Sequence, residues 1–326
     1  MPSNGKPQHL EPSKLGTKQY WDDLYTNEIT NHAADPSDIG TVWFDDSDAE
    51  AKILEFLDGL IDPSDPDSPV LSHDTTTFLD LGCGNGSLLF SLRQENWSAR
   101  ALGVDYSPQS IALARQITTT KDDLEKPVEF EEWDLIAGPY SPVLNGEQIE
   151  GWDVVLDKGT FDAISLSDEK DAQGRRLCEC YRERVLPLVR KGGIFLVTSC
   201  NWTETELRGW FEKTSEEGFQ VVGRVEYRSF SFGGHKGQTI TPILNSQYHS
   251  PLRALVVSYN GIWTRVNAWT NPLGLLPIFV TPKLHLSSSP YPFQRICVKL
   301  LFIASFAEHF PFLIPTQLSA AMSGSN

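Results

Sequence analysis

Phe78-Leu79-Asp80-Leu81-Gly82-Cys83-Gly84-Asn85-Gly86 is the stretch on which the fold turns. An apolar run of strand length delivers three glycines at alternating positions, and a helical apolar pattern follows over 87–94. Glycine is needed where the backbone turns sharply and a ligand must approach with no Cβ in the way. A dinucleotide-binding loop, G-x-G-x-x-G, would place its third glycine at position 87. Ser87 stands there instead, so the tighter G-x-G-x-G loop suits a nucleoside ligand without a pyrophosphate. Alone, such a loop is a weak signal.

Alternation of strand and helix extends outward from this point. Strands are predicted at 77–81, 101–104, 128–133, 152–156, 193–199 and 219–227, and helices at 87–94, 108–118, 175–189 and 203–217. Thr203 with Glu206 three residues on is a capping-box signature. Repeated strand–helix units of this length predict an α/β fold with a Rossmann-like, mostly parallel sheet covered by helices on both faces. Upstream, Tyr20-Trp21-Asp22-Asp23-Leu24-Tyr25 opens a short helix with an aromatic face, and Ser47 is expected to cap a second helix reaching residue 60. Residues 62–69 read as a linker of Asp, Pro and Ser, and residues 1–13 as a disordered tail.

The strand ends carry the chemistry. Asp105, in Gly103-Val104-Asp105-Tyr106-Ser107, puts a carboxylate at the end of the second strand, where it can accept from both ribose hydroxyls of a nucleoside. The competing structural role, capping the helix that begins near Pro108, suits Ser107 better. Asp134 follows the third strand, where an acid can accept from an adenine amino group with Leu135 or Trp133 packed on the base. The fourth strand runs into Asp157-Lys158-Gly159-Thr160-Phe161-Asp162 and the fifth into Ser199-Cys200-Asn201-Trp202, both on the edge where open α/β sheets gather their sites. Of these, Asp162 reads as a solvated or capping acid.

Together these segments resemble the class I methyltransferases, with their seven-stranded sheet. More narrowly they resemble the elongation factor methyltransferase 4 family, protein-lysine methyltransferases that modify translation elongation factor 1-alpha. The matching segments are Leu15-Gly16-Thr17 with Tyr20-Trp21-Asp22, Val42-Trp43-Phe44, the glycine loop, Gly103–Pro108, the segment from Asp157 to Leu166, Ser199-Cys200-Asn201-Trp202 and Phe230-Ser231-Phe232-Gly233-Gly234. The glycine loop marks only the superfamily; the segments 157–166, 199–203 and 230–234 are far more specific. The resemblance spans roughly residues 14–241 and implies a catalytic domain over 14–245, S-adenosyl-L-methionine as cofactor and elongation factor 1-alpha as protein substrate. It also implies a cytoplasmic monomer. The implied cofactor site comprises Tyr20, Trp21, Asp80, Gly82, Gly84, Gly86, Asp105, Tyr106, Asp134, Leu135 and Asp157. Asp157, Asn201 and Trp202 are the implied groups at the methyl-accepting amine, with Trp202 equally placed for core packing. Tyr20 and Trp21 would close over the cofactor. A methyltransferase acting on a small molecule, and a non-catalytic protein that keeps the fold, are the alternatives. The first would need an inserted lid for which residues 76–244 leave little room; the second sits poorly with an intact glycine loop, Asp105 and Asp134.

Composition narrows the field further. The net charge of −16 divides into −12 over residues 1–75, −8 over 76–244 and +4 over 245–326. An acidic body argues against a phosphate-backbone partner, which needs Lys and Arg to displace counterions, and no Asn-Pro-Pro-aromatic motif follows the fourth strand, so no nucleic-acid partner is expected. Five cysteines without a paired C-x₂-C spacing make no zinc site, and no metal is expected. The most apolar segment, 296–315, is interrupted by Lys299, Glu308, His309 and Pro311, so no membrane span is expected. Past residue 245 the pattern fails. Pro242 breaks the expected last strand after Gln238-Thr239-Ile240-Thr241. Residues 246–326, with eight prolines and one acid, read as a tail outside the catalytic domain, apart from a possible strand at 254–259. That tail matches nothing in the family and is either an extension or translated non-coding sequence.

Overall fold

The computed structural model describes residues 7–61, 71–121, 126–212 and 218–225, together with the backbone of three further short strands. Helices α1 (Lys18–Ala34) and α2 (Ala49–Asp58) precede strand β1 (Phe78–Leu81). Then come α3 (Ser87–Gln94), β2 (Ala101–Asp105), α4 (Pro108–Thr118), β3 (Glu129–Glu132), β4 (Trp152–Lys158), α5 (Thr160–Ser165), α6 (Leu177–Val185), β5 (Val189–Ser199), α7 (Glu204–Phe211) and β6 (Phe219–Arg224). Strands β7 (Phe230–Phe232) and β8 (His235–Gly237) form an antiparallel ribbon, and β9 (Arg253–Tyr259) follows. Across the main sheet the order is β3-β2-β1-β4-β5-β9-β6, with parallel pairing throughout.

The expected α/β architecture is thus present, a parallel sheet flanked by helices. Side chains alternate along each strand, and the two faces bury separate cores. Phe78, Val154, Leu156, Ile194 and Leu196 face α1, α2, α3 and α4, through residues such as Trp21, Ile53, Leu89 and Ile111. Leu79, Leu81, Val155, Phe195 and Val197 face α5, α6 and α7, through Phe161, Tyr181 and Phe211. Strands buried on both faces need continuous apolar runs, which is why Phe78–Leu81 shows no polar alternation apart from Asp80.

Several boundaries differ from the sequence reading. The helix expected over 175–189 is shorter: Leu177–Val185 is α-helical, Leu186–Leu188 is a 3₁₀ turn around Pro187, and the chain is already extended at Val189. Ser47 does not cap α2. It lies inside a 3₁₀ turn, Asp45–Ser47, with its hydroxyl on the Phe44 carbonyl at 2.8 Å, and Asp48 in the left-handed region precedes the helix. Thr203 and Glu206 do form the capping box of α7. The segment Gln238–Thr241 lies outside the described residues. The place between β5 and β6 is taken by β9, so the sheet draws on chain beyond residue 245. The chain divides into two units, Met1–Val266 and Asn267–Asn326, and the sheet belongs to the first. The rest of the tail, 246–252 and 260–326, lies outside the described residues.

Residues 7–13 are no free tail. The Pro7 ring lies against Gly209, the His9 ring stacks on Trp210 at 6.0 Å, and the Leu10 carbonyl accepts from Arg176 at 2.7 Å. Ser13 donates its backbone N–H to the Leu166 carbonyl at 3.0 Å and caps a short turn, Lys14–Gly16, before Thr17 caps α1. The polar composition of this strap gives no sign of its partners, which stand on α6 and α7. Gly16 is its tightest point: a Cβ there would lie 2.2 Å from the Leu166 backbone. Gly16→Ala is therefore expected to lift the strap and cost about 1–3 kcal/mol, as overpacking does. Calorimetry should show the Tm lower by roughly 5 °C, at the few degrees per kcal/mol usual for a domain of this size; an unchanged Tm would mean the strap is not docked.

Candidate functional site

The carboxyl ends of β1, β2, β4 and β5 form the edge to which the sequence assigned the chemistry. Gly82, Gly84 and Gly86 all sit at positive φ (63, 57 and 81°), winding the chain from β1 into α3. Asp105, at the end of β2, is buried, and its carboxylate accepts from the backbone N–H of Gly84 at 3.2 Å and of Ser107 at 2.9 Å. Burial pushes its pKa upward. Ser107 caps α4, as expected, and the Ser110 hydroxyl donates to the Gly84 carbonyl at 2.8 Å. The loop is thus held from β2 and α4, and Asp105 is placed against it rather than free in solvent.

Asp80 stands on the same face. It is 3% exposed, and among the described residues no donor reaches its carboxylate. Burial pushes its pKa up to about 8. An ionised carboxyl in such a place lacks the hydrogen bonds that normally compensate burial, so the group is suited to a cationic ligand.

The opposite face holds a second pair of acids, and Asp162 differs from expectation. Asp157 is turned into the start of α5. Its oxygens accept from the N–H of Thr160 at 2.8 Å, the N–H of Phe161 at 3.0 Å and the hydroxyl of Tyr181. Burial raises its pKa to about 7. With those bonds made, Asp157 holds α5 and Tyr181 in place. Asp162 is neither solvated nor a cap: it is buried, takes the Ser199 hydroxyl and accepts from the Cys200 N–H at 2.7 Å. It ties α5 to the loop after β5, and burial raises its pKa to about 6. Trp202 is 1% exposed, packed among Phe161 and Trp210 with its indole N–H on the Ser165 hydroxyl at 3.3 Å. That placement is core packing and gives it no surface from which to line a channel. Asn201, beside it, is half-buried at the end of the loop. Asp134 is exposed and turns back on its own loop, accepting from Ile136 N–H at 2.8 Å, while Leu135 and Trp133 are buried toward α6.

The N-terminal elements roof this edge. Trp21 is buried and donates its indole N–H to the Leu15 carbonyl at 2.8 Å; its ring meets Tyr20, Tyr25 and Trp43. Lys18 lies over the Tyr106 ring at 5.5 Å, which links α1 to the end of β2. Tyr25 is the group the sequence reading missed. A Cβ on Gly84 would fall 2.8 Å from the Tyr25 hydroxyl, so this buried ring sits directly over the loop. Its spacing of four from Trp21 puts it on the same helical face, which was the available signal. Lys158 and Glu50 were also missed: they pair at 3.4 Å, both largely buried, and Lys158 donates to the Trp43 carbonyl at 3.1 Å. Among the described residues no group of three or more His, Cys, Asp or Glu could hold a metal, and no helix is long and apolar enough to cross a membrane.

A loop wound through three positive-φ glycines, a buried carboxylate bonded to it and a second buried acid on the same face form an edge that fits a nucleoside cofactor bearing positive charge. Comparison with known proteins agrees. A methyltransferase domain matches residues 72–248. The protein-lysine N-methyltransferase EFM4 of Saccharomyces cerevisiae is 38% identical over 234 residues, which cover 72% of this chain and 95% of the yeast protein. Its namesake in Schizosaccharomyces pombe is 40% identical, covering 72% and 94%. The human EEF1A lysine methyltransferase 2 is 31% identical, covering 72% and 86%. The chain is a methyltransferase, and it belongs to the family of these protein-lysine N-methyltransferases. Its cofactor is S-adenosyl-L-methionine. Asp105→Ala should weaken binding of S-adenosylhomocysteine by about 1.5–3 kcal/mol, the usual loss for a charged hydrogen-bond partner, that is, roughly tenfold to a hundredfold in Kd. Unchanged affinity by titration calorimetry would remove Asp105 from the site.

Proposed function

We propose that this enzyme methylates a lysine of translation elongation factor 1-alpha, acting in the cytoplasm as a monomer on the folded factor and not on nucleic acid. The observation that carries the reading is the extent of the similarity: the chain covers 95% of the yeast relative, whereas the general methyltransferase domain accounts for residues 72–248 alone. The acidic balance of the chain, −16 overall, favours a basic protein partner.

The cofactor, when bound, supplies a methyl group on a sulfonium, an already activated donor, so the chain's task is to hold and orient the reactants. Asp105 would take the ribose hydroxyls, Asp134 the adenine amino group with Tyr106 beside the base, and Asp80 the ammonium of the methionine end. Gly82, Gly84 and Gly86 give the backbone its close approach, and Tyr20, Trp21 and Tyr25 exclude water from above. The acceptor lysine must arrive uncharged, although its ordinary pKa is about 10.4. Desolvation lowers that value. Trp43 and Phe44 bound the end of β4, with the Phe44 ring 3.3 Å from where a Cβ on Gly159 would stand, and an apolar approach past them to Asn201 would favour the neutral amine. Asp157, with Tyr181, acts as a positioning group for α5, and Trp202 as packing behind the loop that carries Asn201.

Incubation with labelled S-adenosylmethionine and native elongation factor 1-alpha should label the factor. Labelling should fall as salt rises, because attraction between exposed charges is screened over about 8–10 Å at physiological ionic strength. Equal labelling of a short unstructured lysine peptide at any salt would count against a folded basic partner.

A further inference from the structure

Lys158 and Glu50 are a buried ion pair with no place in the chemistry assigned so far. Breaking such a pair is costly and keeping it is no cheap source of stability. The pair sits on the face that holds Asp80. In the register of the sheet Asp80 lies beside Leu156, and Lys158 is two residues further along β4 on the same side. Thr198 of β5 is level with Lys158, and its buried hydroxyl has no partner among the described residues. Glu50 reaches in from α2, one oxygen toward Lys158 at 3.4 Å, the other accepting from the hydroxyls of Ser87 at 2.7 Å and Ser91 at 3.4 Å at the start of α3. The Trp43 carbonyl takes a further bond from the ammonium at 3.1 Å.

We propose that Lys158, held by the Trp43 carbonyl at the end of β4, is a positioning residue that readies Asp80 for the ammonium end of the cofactor. This rests on the reading that Asp80 is the group that receives that ammonium. The charged and titratable groups around Asp80 are Lys158, Glu50, Asp157 and Asp105, with the Cys83 thiol and the Tyr181 hydroxyl. Lys158 alone among them favours the ionised carboxylate; the three acids oppose it. The same ammonium ties the end of β4 to the Trp43 turn and to α2. Readiness of the cofactor site and seating of this part of the roof therefore depend on one cation.

The test is the pH dependence of S-adenosylhomocysteine binding to the full chain, by titration calorimetry from pH 6 to 9, read on the acid limb, where affinity rises as Asp80 ionises. The sign is fixed by the charges. Lys158→Met removes the group that favours the carboxylate, so the limb should move to higher pH by about one unit, making binding roughly tenfold weaker at pH 7 at a factor of ten per unit. Glu50→Gln removes an opposing charge while leaving an acceptor for Ser87, so the limb should move to lower pH. Opposite displacements are not what general loosening of the fold would give. If Lys158→Met fails to fold, as a thermal melt would show, the displacement in Glu50→Gln decides alone. A limb at the wild-type position in Lys158→Met, or one moved upward in Glu50→Gln, overturns the proposal. Asp80→Asn separates the layers: it should abolish the limb. If the limb survives in that variant, the assignment of the ammonium to Asp80 fails as well.

Discussion

Four aspartates, Asp80, Asp105, Asp157 and Asp162, are buried along one edge of one sheet, and the electrostatic cost of that burial organises the molecule around them. A carboxylate withdrawn from water must be repaid in hydrogen bonds. Asp105 is repaid by the amides of Gly84 and Ser107, Asp157 by those of Thr160 and Phe161 with the Tyr181 hydroxyl, and Asp162 by Ser199 and Cys200. Each repayment fixes a piece of backbone: the glycine loop, the start of α5, the turn after β5. The acids are thus the pins of the edge before they are its chemistry. Asp80 is the exception, with Lys158 nearby as its one favourable charge. An edge with more buried negative than positive charge is preorganised for a positive ligand, and the methyl donor of this family carries positive charge on both sulfur and nitrogen.

The two cores give the edge two different jobs. Asp80, Asp105, Lys158 and the glycine loop stand on the face shared with α1 to α4, where the cofactor is assigned. Asp157, Asp162 and Trp202 stand on the face shared with α5 to α7, where they hold the β4 and β5 ends rigid. A strand that alternates its side chains sends Asp157 and Lys158, neighbours in sequence, to opposite sides of the sheet. The Asp157–Asp162 segment is therefore one motif serving two structural purposes.

What was legible in the sequence follows the same division. The positive-φ glycine loop, Ser107 as cap, the capping box at Thr203 and the strand–helix alternation are local patterns, legible because a short window of sequence decides them. Some departures are local, as with Ser47 and the helix cut short at Pro187, while others involve distant partners. Asp157 stands at the strand end where the sequence puts the chemistry; its bonds to Thr160 and Phe161 are local, but the one from Tyr181 on another helix is visible in no short window. Asp162 looked solvated because its acceptor bonds go to Ser199 and Cys200. Trp202, left open between channel and core, is core because Phe161 and Trp210 surround it. Residues 7–13 looked disordered because their partners are carbonyl, guanidinium and ring groups that no short window contains.

That last feature bears on the order of events during synthesis. Leu10 and Arg176 are bonded across 166 positions, and Ser13 meets Leu166 in the same way. The strap is made ahead of all its partners, which stand at the end of α5, at the start of α6 and on α7. Contacts of such long sequence separation form late, because loop-closure entropy must be met before they repay it. The strap is therefore docked late in assembly, once α5, α6 and α7 have been made.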